Sequence, residues 1–83
     1  MYRMKSNPFE LNIGKMIGRG VRIVRERTHL SGCALNRKLG LSQATINKLE
    51  LGKVQNPSLA LLHQIGIQTG SSLKEILEVS GII

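Results

Sequence analysis

The sequence predicts an all-α fold built from five short helices. Apolar residues recur at intervals of three and four in five separate segments, which is the spacing of one helix face. No stretch alternates apolar and polar residues as a β-strand would. The breaks between segments are short and rich in Gly, Ser or Pro, as expected for tightly connected helices; they fall at residues 29–31, 40–42, 52–57 and 70–72.

Helix 1 is expected over the segment in which Ile13, Ile17, Val21 and Val24 share one face. Three glycines, at positions 14, 18 and 20, lower its helix propensity and predict fraying before Ile17. Ahead of this helix, residues 7–10 (NPFE) place an Asn cap, a Pro and a Glu in the order of a helix start. An ordered turn is therefore expected within an N-terminal arm of residues 1–12.

Helix 2 is expected over residues 31–39 and helix 3 over residues 43–51, with only the turn 40–42 between them. Ser42 is the predicted N-cap of helix 3, because its hydroxyl can accept from the first free N–H groups. Gly52 is the predicted stop, since glycine takes the left-handed conformation at low cost. The residues expected to face the core are Leu35, Leu39, Ile46 and Leu49.

Helix 4 is expected from the apolar pattern of Leu59, Leu62 and Ile65, and helix 5 from an S-x-x-E capping box formed by Ser72 and Glu75. The helical domain is predicted to span residues 13–78, followed by an apolar C-terminal tail of residues 79–83. A chain of 83 residues accommodates one such domain, which we expect to be the whole protein.

The charge of the chain is concentrated at one end. The formal net charge is +7; residues 1–53 carry eleven basic and three acidic side chains, whereas residues 54–83 carry one basic and two acidic ones. Such a basic field attracts polyanions, either nucleic acid or an anionic membrane surface, although charge can also serve solubility alone. Membrane binding is disfavoured because aromatic anchors are few and the apolar stripe of helix 1 is needed for the core.

The residue types argue against several other classes of protein, namely secreted and membrane proteins, enzymes and metal-binding proteins. The single cysteine, Cys33, forms no intrachain disulfide, and no apolar run approaches the roughly 20 residues that span a bilayer, so a reducing, cytoplasmic location is expected. The chain has no Asp, and its five Glu form no paired-carboxylate pattern, so we expect no enzyme. His63, His29 and Cys33 have no metal-ligand spacing. No cofactor, metal or small-molecule ligand is therefore expected.

The joint between helices 2 and 3 points to duplex DNA. A three-residue turn sets two helices at a steep angle and leaves the second one projecting, as in DNA-binding helix-turn-helix units. A helix that reads the major groove needs a thin apolar stripe behind it and hydrogen-bonding side chains in front. Helix 3 offers that front with Gln43, Ala44, Thr45, Asn47 and Lys48.

Over residues 17–77 the chain resembles the Cro and phage-repressor (XRE) type of helix-turn-helix family. The resemblance is carried by IGRGVRIVRERTH, then LSGCALNRKLGLSQATINKLELGK, then NPSLALLHQIGIQTGSSLKEIL. It implies a compact five-helix, lambda-repressor-like DNA-binding domain with the helix-turn-helix in helices 2 and 3. It also implies a sequence-specific transcriptional regulator that binds double-stranded DNA; repression is expected, and activation stays open.

The resemblance assigns roles to individual positions. Base reading falls on Gln43, Ala44 and Lys48, with Thr45 and Asn47 as additional contacts or as a solvated face. Phosphate contacts fall on Ser31, Gly32, Ser42, Lys53, Val54, Gln55 and Asn56. Arg25 and Glu50 match an ion pair that braces helix 3, with direct DNA contact by Arg25 as the competing interpretation.

The chain also departs from the family pattern. Gly32 and Ala34 replace a Gln and an acidic residue in helix 2, Leu51 replaces a polar residue, and Asn36 stands where a small Ala is usual. A buried amide at position 36 costs free energy unless it is hydrogen-bonded. These differences leave open a protein-interaction module of the same fold that sequesters a partner regulator. An antitoxin or a restriction controller also stays open within the DNA-binding class.

Reading enough base pairs to find one site requires two copies, so a homodimer is expected. Apolar residues in excess of one small core suggest its interface. They are Leu61, Ile67, Val79, Ile82 and Ile83. The alternative is that the tail folds back onto the core of its own subunit.

Overall fold

A computed structural model of the chain describes residues 12–42 and 44–83 and contains five α-helices over those residues. The helices are α1 (Ile13–Arg27), α2 (Gly32–Leu39), α3 (Thr45–Glu50), α4 (Leu59–Thr69) and α5 (Leu73–Val79). The predicted all-α class and the count of five are thereby confirmed. The turn predicted over residues 7–10 lies outside the described residues, as does most of the arm.

The core lies between the helices and receives apolar side chains from all five. Its buried members are Ile17, Val21, Val24, Leu35, Ile46, Leu49, Leu62, Ile65 and Ile76. α1 packs against α3, α4 and α5, and α2 packs against α3 and α4. Burial of one Leu or Ile side chain stabilises a fold by about 1.5–3 kcal/mol, so this cluster supplies the main driving force for folding.

Serine caps begin three of the helices. The hydroxyls of Ser31, Ser58 and Ser72 each accept a hydrogen bond from the backbone N–H three residues later, at 3.0 to 3.1 Å. Substitution of such a cap by Ala costs about 1 kcal/mol, which matters for helices this short. At the other end of α3, Gly52 takes a left-handed φ of 77° and stops the helix as predicted.

α1 does not fray before Ile17. It begins at Ile13, with the Asn12 side chain accepting from the Lys15 N–H, and its three glycines are buried. A Cβ on Gly18 would collide with the backbone carbonyl of Leu49, so the absent side chain lets α1 and the end of α3 come into backbone contact. The prediction from helix propensity was wrong because close packing offsets the conformational cost of glycine.

The start of α3 also differs from the prediction. The helix begins at Thr45, and its N-cap residue is Ala44, at φ 76° and without a side-chain cap hydrogen bond. Ser42 does not cap the helix; its hydroxyl lies 2.9 Å from the hydroxyl of Thr45. The backbone reversal at Ala44 places the start of the helix beyond Ser42. The Ser42 hydroxyl therefore does not accept from the first free N–H groups of the helix.

The predicted boundary between domain and tail falls inside α5. Val79 is the last residue of that helix, and the Ser80 N–H still donates to the Ile76 carbonyl at 3.0 Å. Gly81 then takes a φ of 83°, which allows the Ile82 N–H to donate to the Leu77 carbonyl. The last residues are thus bonded to the end of their own helix.

Among the described residues, no helix has the length and hydropathy needed to cross a bilayer.

Candidate nucleic-acid interface

α3 turns one apolar face to the core and one polar face to solvent. Ile46 and Leu49 are fully buried, whereas Ala44, Asn47 and Lys48 are exposed. An amide can both donate to and accept from a base edge, an ammonium group can donate to guanine, and a methyl group can pack on thymine. Three of the five predicted base-reading residues therefore lie where a ligand could reach them.

The other two predicted base-reading residues differ from these. Gln43 lies outside the described residues. Thr45 is half-buried, and its hydroxyl is hydrogen-bonded to that of Ser42, a predicted phosphate contact. Each hydroxyl has further donor or acceptor capacity, so a ligand bound by one of them would extend this existing pair.

A surface groove of 390 Å³ lies between the first half of α2 and α3. Its lining includes two predicted phosphate contacts, Ser31 and Gly32, and two predicted base contacts, Ala44 and Asn47. These four residues are separated by up to sixteen positions in the sequence. Packing of α2 on α3 brings both kinds of contact to one surface.

The groove is also lined by the ion pair of Arg25 and Glu50. Arg25 Nε lies 2.5 Å from Glu50 Oε2, and its Nη2 lies 2.9 Å from Glu50 Oε1. The third nitrogen, Nη1, donates to the Leu30 carbonyl at 2.8 Å. One guanidinium thus connects the end of α1, the segment before α2 and the end of α3.

This pair is sheltered from solvent. The two side chains are 14% and 11% exposed, and the hydrogen bond to Glu50 raises the pKa of Arg25. A raised pKa means that the contribution of Arg25 to stability is complete below the usual arginine pKa and is lost as pH rises through the folded value. Arg25 is therefore not the exposed, unpaired residue of the competing interpretation, because all three of its guanidinium nitrogens donate within the protein.

Comparisons with protein-family models, curated proteins and solved structures found no match.

The loop between α3 and α4 carries the remaining predicted phosphate contacts. Lys53, Gln55 and Asn56 are exposed. Val54 instead packs against the core, and its carbonyl lies against α1, where a Cβ on Gly14 would be 2.5 Å from it. The Val54 side chain is thus unavailable, and only its backbone could contact a phosphate.

Two residues on this side of the molecule, Lys15 and Leu51, were not among the predicted site residues. Lys15 is exposed, and its Cγ would lie 2.6 Å from a Cβ on Gly52, so it sits beside the loop that contains Lys53. Leu51 is 56% exposed and follows Ala44 by seven residues, close to two helical turns. The helical spacing of Leu51 was visible in the sequence, but the position of Lys15 beside the loop required the packing of α1 on α3.

The predicted dimer residues separate into two groups. Leu61, Val79 and Ile82 are partly buried against the core of their own chain, which leaves only part of each side chain for a contact between chains. Ile67 and Ile83 are 58% and 66% exposed. The tail folds back because Gly81 reverses the backbone and returns Ile82 to its own domain.

Cys33 and His63 are both exposed. Within residues 12–42 and 44–83, no group of three His, Cys, Asp or Glu side chains could hold a metal ion.

Proposed function

We propose that this protein is a sequence-specific regulator of transcription that binds double-stranded DNA as a homodimer. In this proposal α2 and α3 act as a helix-turn-helix of the Cro and phage-repressor type, and the exposed face of α3 enters the major groove. The groove between α2 and α3 carries the proposal, because it brings predicted phosphate and base contacts together on one surface. Repression is the mode of regulation expected from the family resemblance.

Two parts of this surface are suited to hold the DNA backbone. The N-terminus of α2, at Ser31 and Gly32, presents backbone N–H groups and the positive end of a helix, which favour phosphate. The loop with Lys53, Gln55 and Asn56 presents a cation and two amides on the other side of α3. Lys15 adds a second cation beside that loop. Such contacts fix the register of a protein on DNA without reading sequence.

Sequence reading is assigned to α3 itself. Lys48 can donate to guanine, Asn47 can bond an adenine edge, and Ala44 and Leu51 can pack on thymine methyl groups. The opposite face of α3 is fixed in the core by Ile46 and Leu49, so these side chains are held on a firm support.

Assembly is assigned to the outer face of α4. Leu59 and Ile67 are 62% and 58% exposed and lie eight residues apart, close to two helical turns. α4 contains no Lys, Arg, Asp or Glu, whereas the whole chain has a net charge of +7. Two such cations repel one another least where an uncharged surface meets its copy, so a second copy is the occupant we assign to this face.

A footprint on Cys33 tests DNA binding without any substitution. Cys33 is the only cysteine, is exposed and lines the groove. Duplexes should first be selected from a random pool, and alkylation of Cys33 by a maleimide should then be timed with and without the selected duplex. Protection by the selected duplex, and much weaker protection by a scrambled duplex at equal concentration, is the expected result. Failure to select any consensus would refute sequence-specific binding.

A protein-interaction module is the second candidate, and the exposed apolar face of α4 favours it. A partner regulator could cover Leu59 and Ile67 in place of a second copy. In that case the protein would stay monomeric alone, no duplex would be selected, and Cys33 would react equally fast with and without DNA.

A further inference from the structure

α3 lacks the support that the other short helices have at their N-termini. It has six residues, and its N-cap residue, Ala44, provides no side-chain hydrogen bond. A helix of this length is not stable in isolation, and its first N–H groups need acceptors from elsewhere. The positive φ of Ala44 adds strain, because a non-glycine residue is disfavoured there.

A side chain from α2 supplies one of the missing acceptors. Asn36 is 6% exposed, and its Oδ1 accepts from the Ile46 N–H at 3.1 Å, within the first turn of α3. The backbone carbonyl of the same residue accepts from the Leu41 N–H at 2.9 Å. Asn36 therefore binds both ends of the connection between α2 and α3.

We propose that Asn36 is a positioning residue for α3, acting as its N-terminal cap from a neighbouring helix. This inference rests on the proposed function where it concerns the reading of DNA by α3. The positioning of α3 by Asn36 does not depend on that function. The cap comes from α2, so the orientation of α3 is tied to the helix whose N-terminus is assigned to phosphate. Base-reading residues and phosphate contacts are thereby held at a fixed relative position, on which sequence discrimination depends.

Substitutions at position 36 distinguish the effect of the hydrogen-bond acceptor from the effect of side-chain shape. Asn36→Leu keeps the branched shape and the number of non-hydrogen atoms but removes the acceptor, and Asn36→Asp keeps an acceptor in the same place. Ser72→Ala is the matched control, because it removes the Ser72 hydroxyl that caps α5, on a helix that does not belong to the interface. Asn36→Ala replaces Asn36→Leu if the larger side chain prevents folding.

Amide hydrogen exchange measured by NMR tests the positioning of α3 in the absence of DNA. Loss of the acceptor should accelerate exchange at the Ile46 amide by about tenfold or more relative to amides of α5. Ser72→Ala should accelerate exchange in α5 and leave Ile46 unaffected relative to the core. Exchange at Ile46 that is unchanged in Asn36→Leu would overturn the proposal, whatever the protein binds.

The ratio of affinities for selected and random duplexes tests the consequence for recognition. Asn36→Leu should lower this ratio by about tenfold while affinity for random DNA stays within about twofold. Asn36→Asp should retain the ratio, although its added charge weakens binding to all duplexes, and Ser72→Ala should retain both. A ratio that survives in Asn36→Leu, or falls equally in Asn36→Asp, would overturn the role of the acceptor. A wild-type protein that prefers no duplex would refute the proposed function instead, and the exchange result would still decide the role of Asn36.

Discussion

Lys48 and Lys53 are both exposed and lie five residues apart, yet they have different roles in the proposed complex. Lys48 is on the face of α3 that would enter the major groove, and Lys53 is in the following loop. Lys48→Ala should cost about 1–3 kcal/mol on the selected duplex and relax preference at one or two base pairs. Lys53→Ala should weaken binding to all duplexes alike. It should also reduce the number of counterions released on binding, measured from the salt dependence of the affinity, by about one.

Fluorescence titrations at several salt concentrations distinguish these outcomes. Lys74→Ala is the matched control, because Lys74 is exposed on α5, away from the proposed interface, and its loss should change the salt dependence least. Equal losses on selected and random DNA for both interface lysines would show that Lys48 does not read bases.

Gly18 and Gly32 are both helical glycines, but their surroundings differ. A Cβ on Gly18 would collide with the Leu49 carbonyl, whereas a Cβ on Gly32 would meet only Ile46 Cγ2, at 4.0 Å. Gly18→Ala should therefore destabilise the fold by about 1–3 kcal/mol through overpacking of α1 against α3. Gly32→Ala should stabilise it by about 0.5 kcal/mol through reduced entropy of the unfolded chain.

Chemical denaturation of both variants provides the measurement. If Gly18→Ala is as stable as the wild type, then α1 and the end of α3 are not in the backbone contact described above.

At the scale of helices, α3 is short and depends on its neighbours for its position. The Arg25–Glu50 pair holds its C-terminal end to α1 and is 14% and 11% exposed. Removal of one partner leaves the other charge sheltered and unpaired, so Arg25→Ala and Glu50→Ala should each cost about 3 kcal/mol. The double variant should cost less than the sum by about 1–3 kcal/mol, since contacting residues are not additive.

The Arg27–Glu75 pair is a matched control for this double-mutant cycle. It joins α1 to α5 at 2.8 Å, but its side chains are 48% and 43% exposed. Solvent and salt screen such a pair, so its coupling should stay below about 1 kcal/mol. Thermal melts that gave both pairs the same coupling would contradict the bracing role of Arg25 and Glu50.

At the scale of the whole molecule, recognition of paired half-sites about 34 Å apart requires two copies. Sedimentation at micromolar concentration should show a dimer. Ile67→Glu should give a folded monomer with weak binding to the selected duplex, because it places a charge on the uncharged α4 face. Asn47→Glu makes the same charge change on α3 and should leave the free protein dimeric.

Ile83→Glu separates the two exposed apolar regions, because Ile83 belongs to the tail rather than to α4. If Ile83→Glu dissociates the dimer and Ile67→Glu does not, the interface lies at the tail instead of α4. A wild-type protein that is monomeric both free and on DNA would exclude the homodimer.

The sequence by itself determined the all-α class, the five helices and most of the core, because apolar spacing and serine caps act within a few residues of each other. It also predicted the partners Arg25 and Glu50, through the family resemblance. Propensity failed at α1, where the sequence could not show that Gly18 meets the backbone of α3 and that Gly14 meets the backbone of the following loop. The start of α3 was misplaced for a related reason, since one of its acceptors comes from Asn36 in another helix.

Only the tertiary structure decided which residues share a surface. It placed Ser31 and Gly32 in one groove with Ala44 and Asn47, and it placed Lys15 beside the loop of Lys53. It also returned Ile82 to the core of its own chain and left the outer face of α4 exposed. These outcomes depend on contacts between residues distant in sequence, and local spacing records no information about such contacts until the helices are packed.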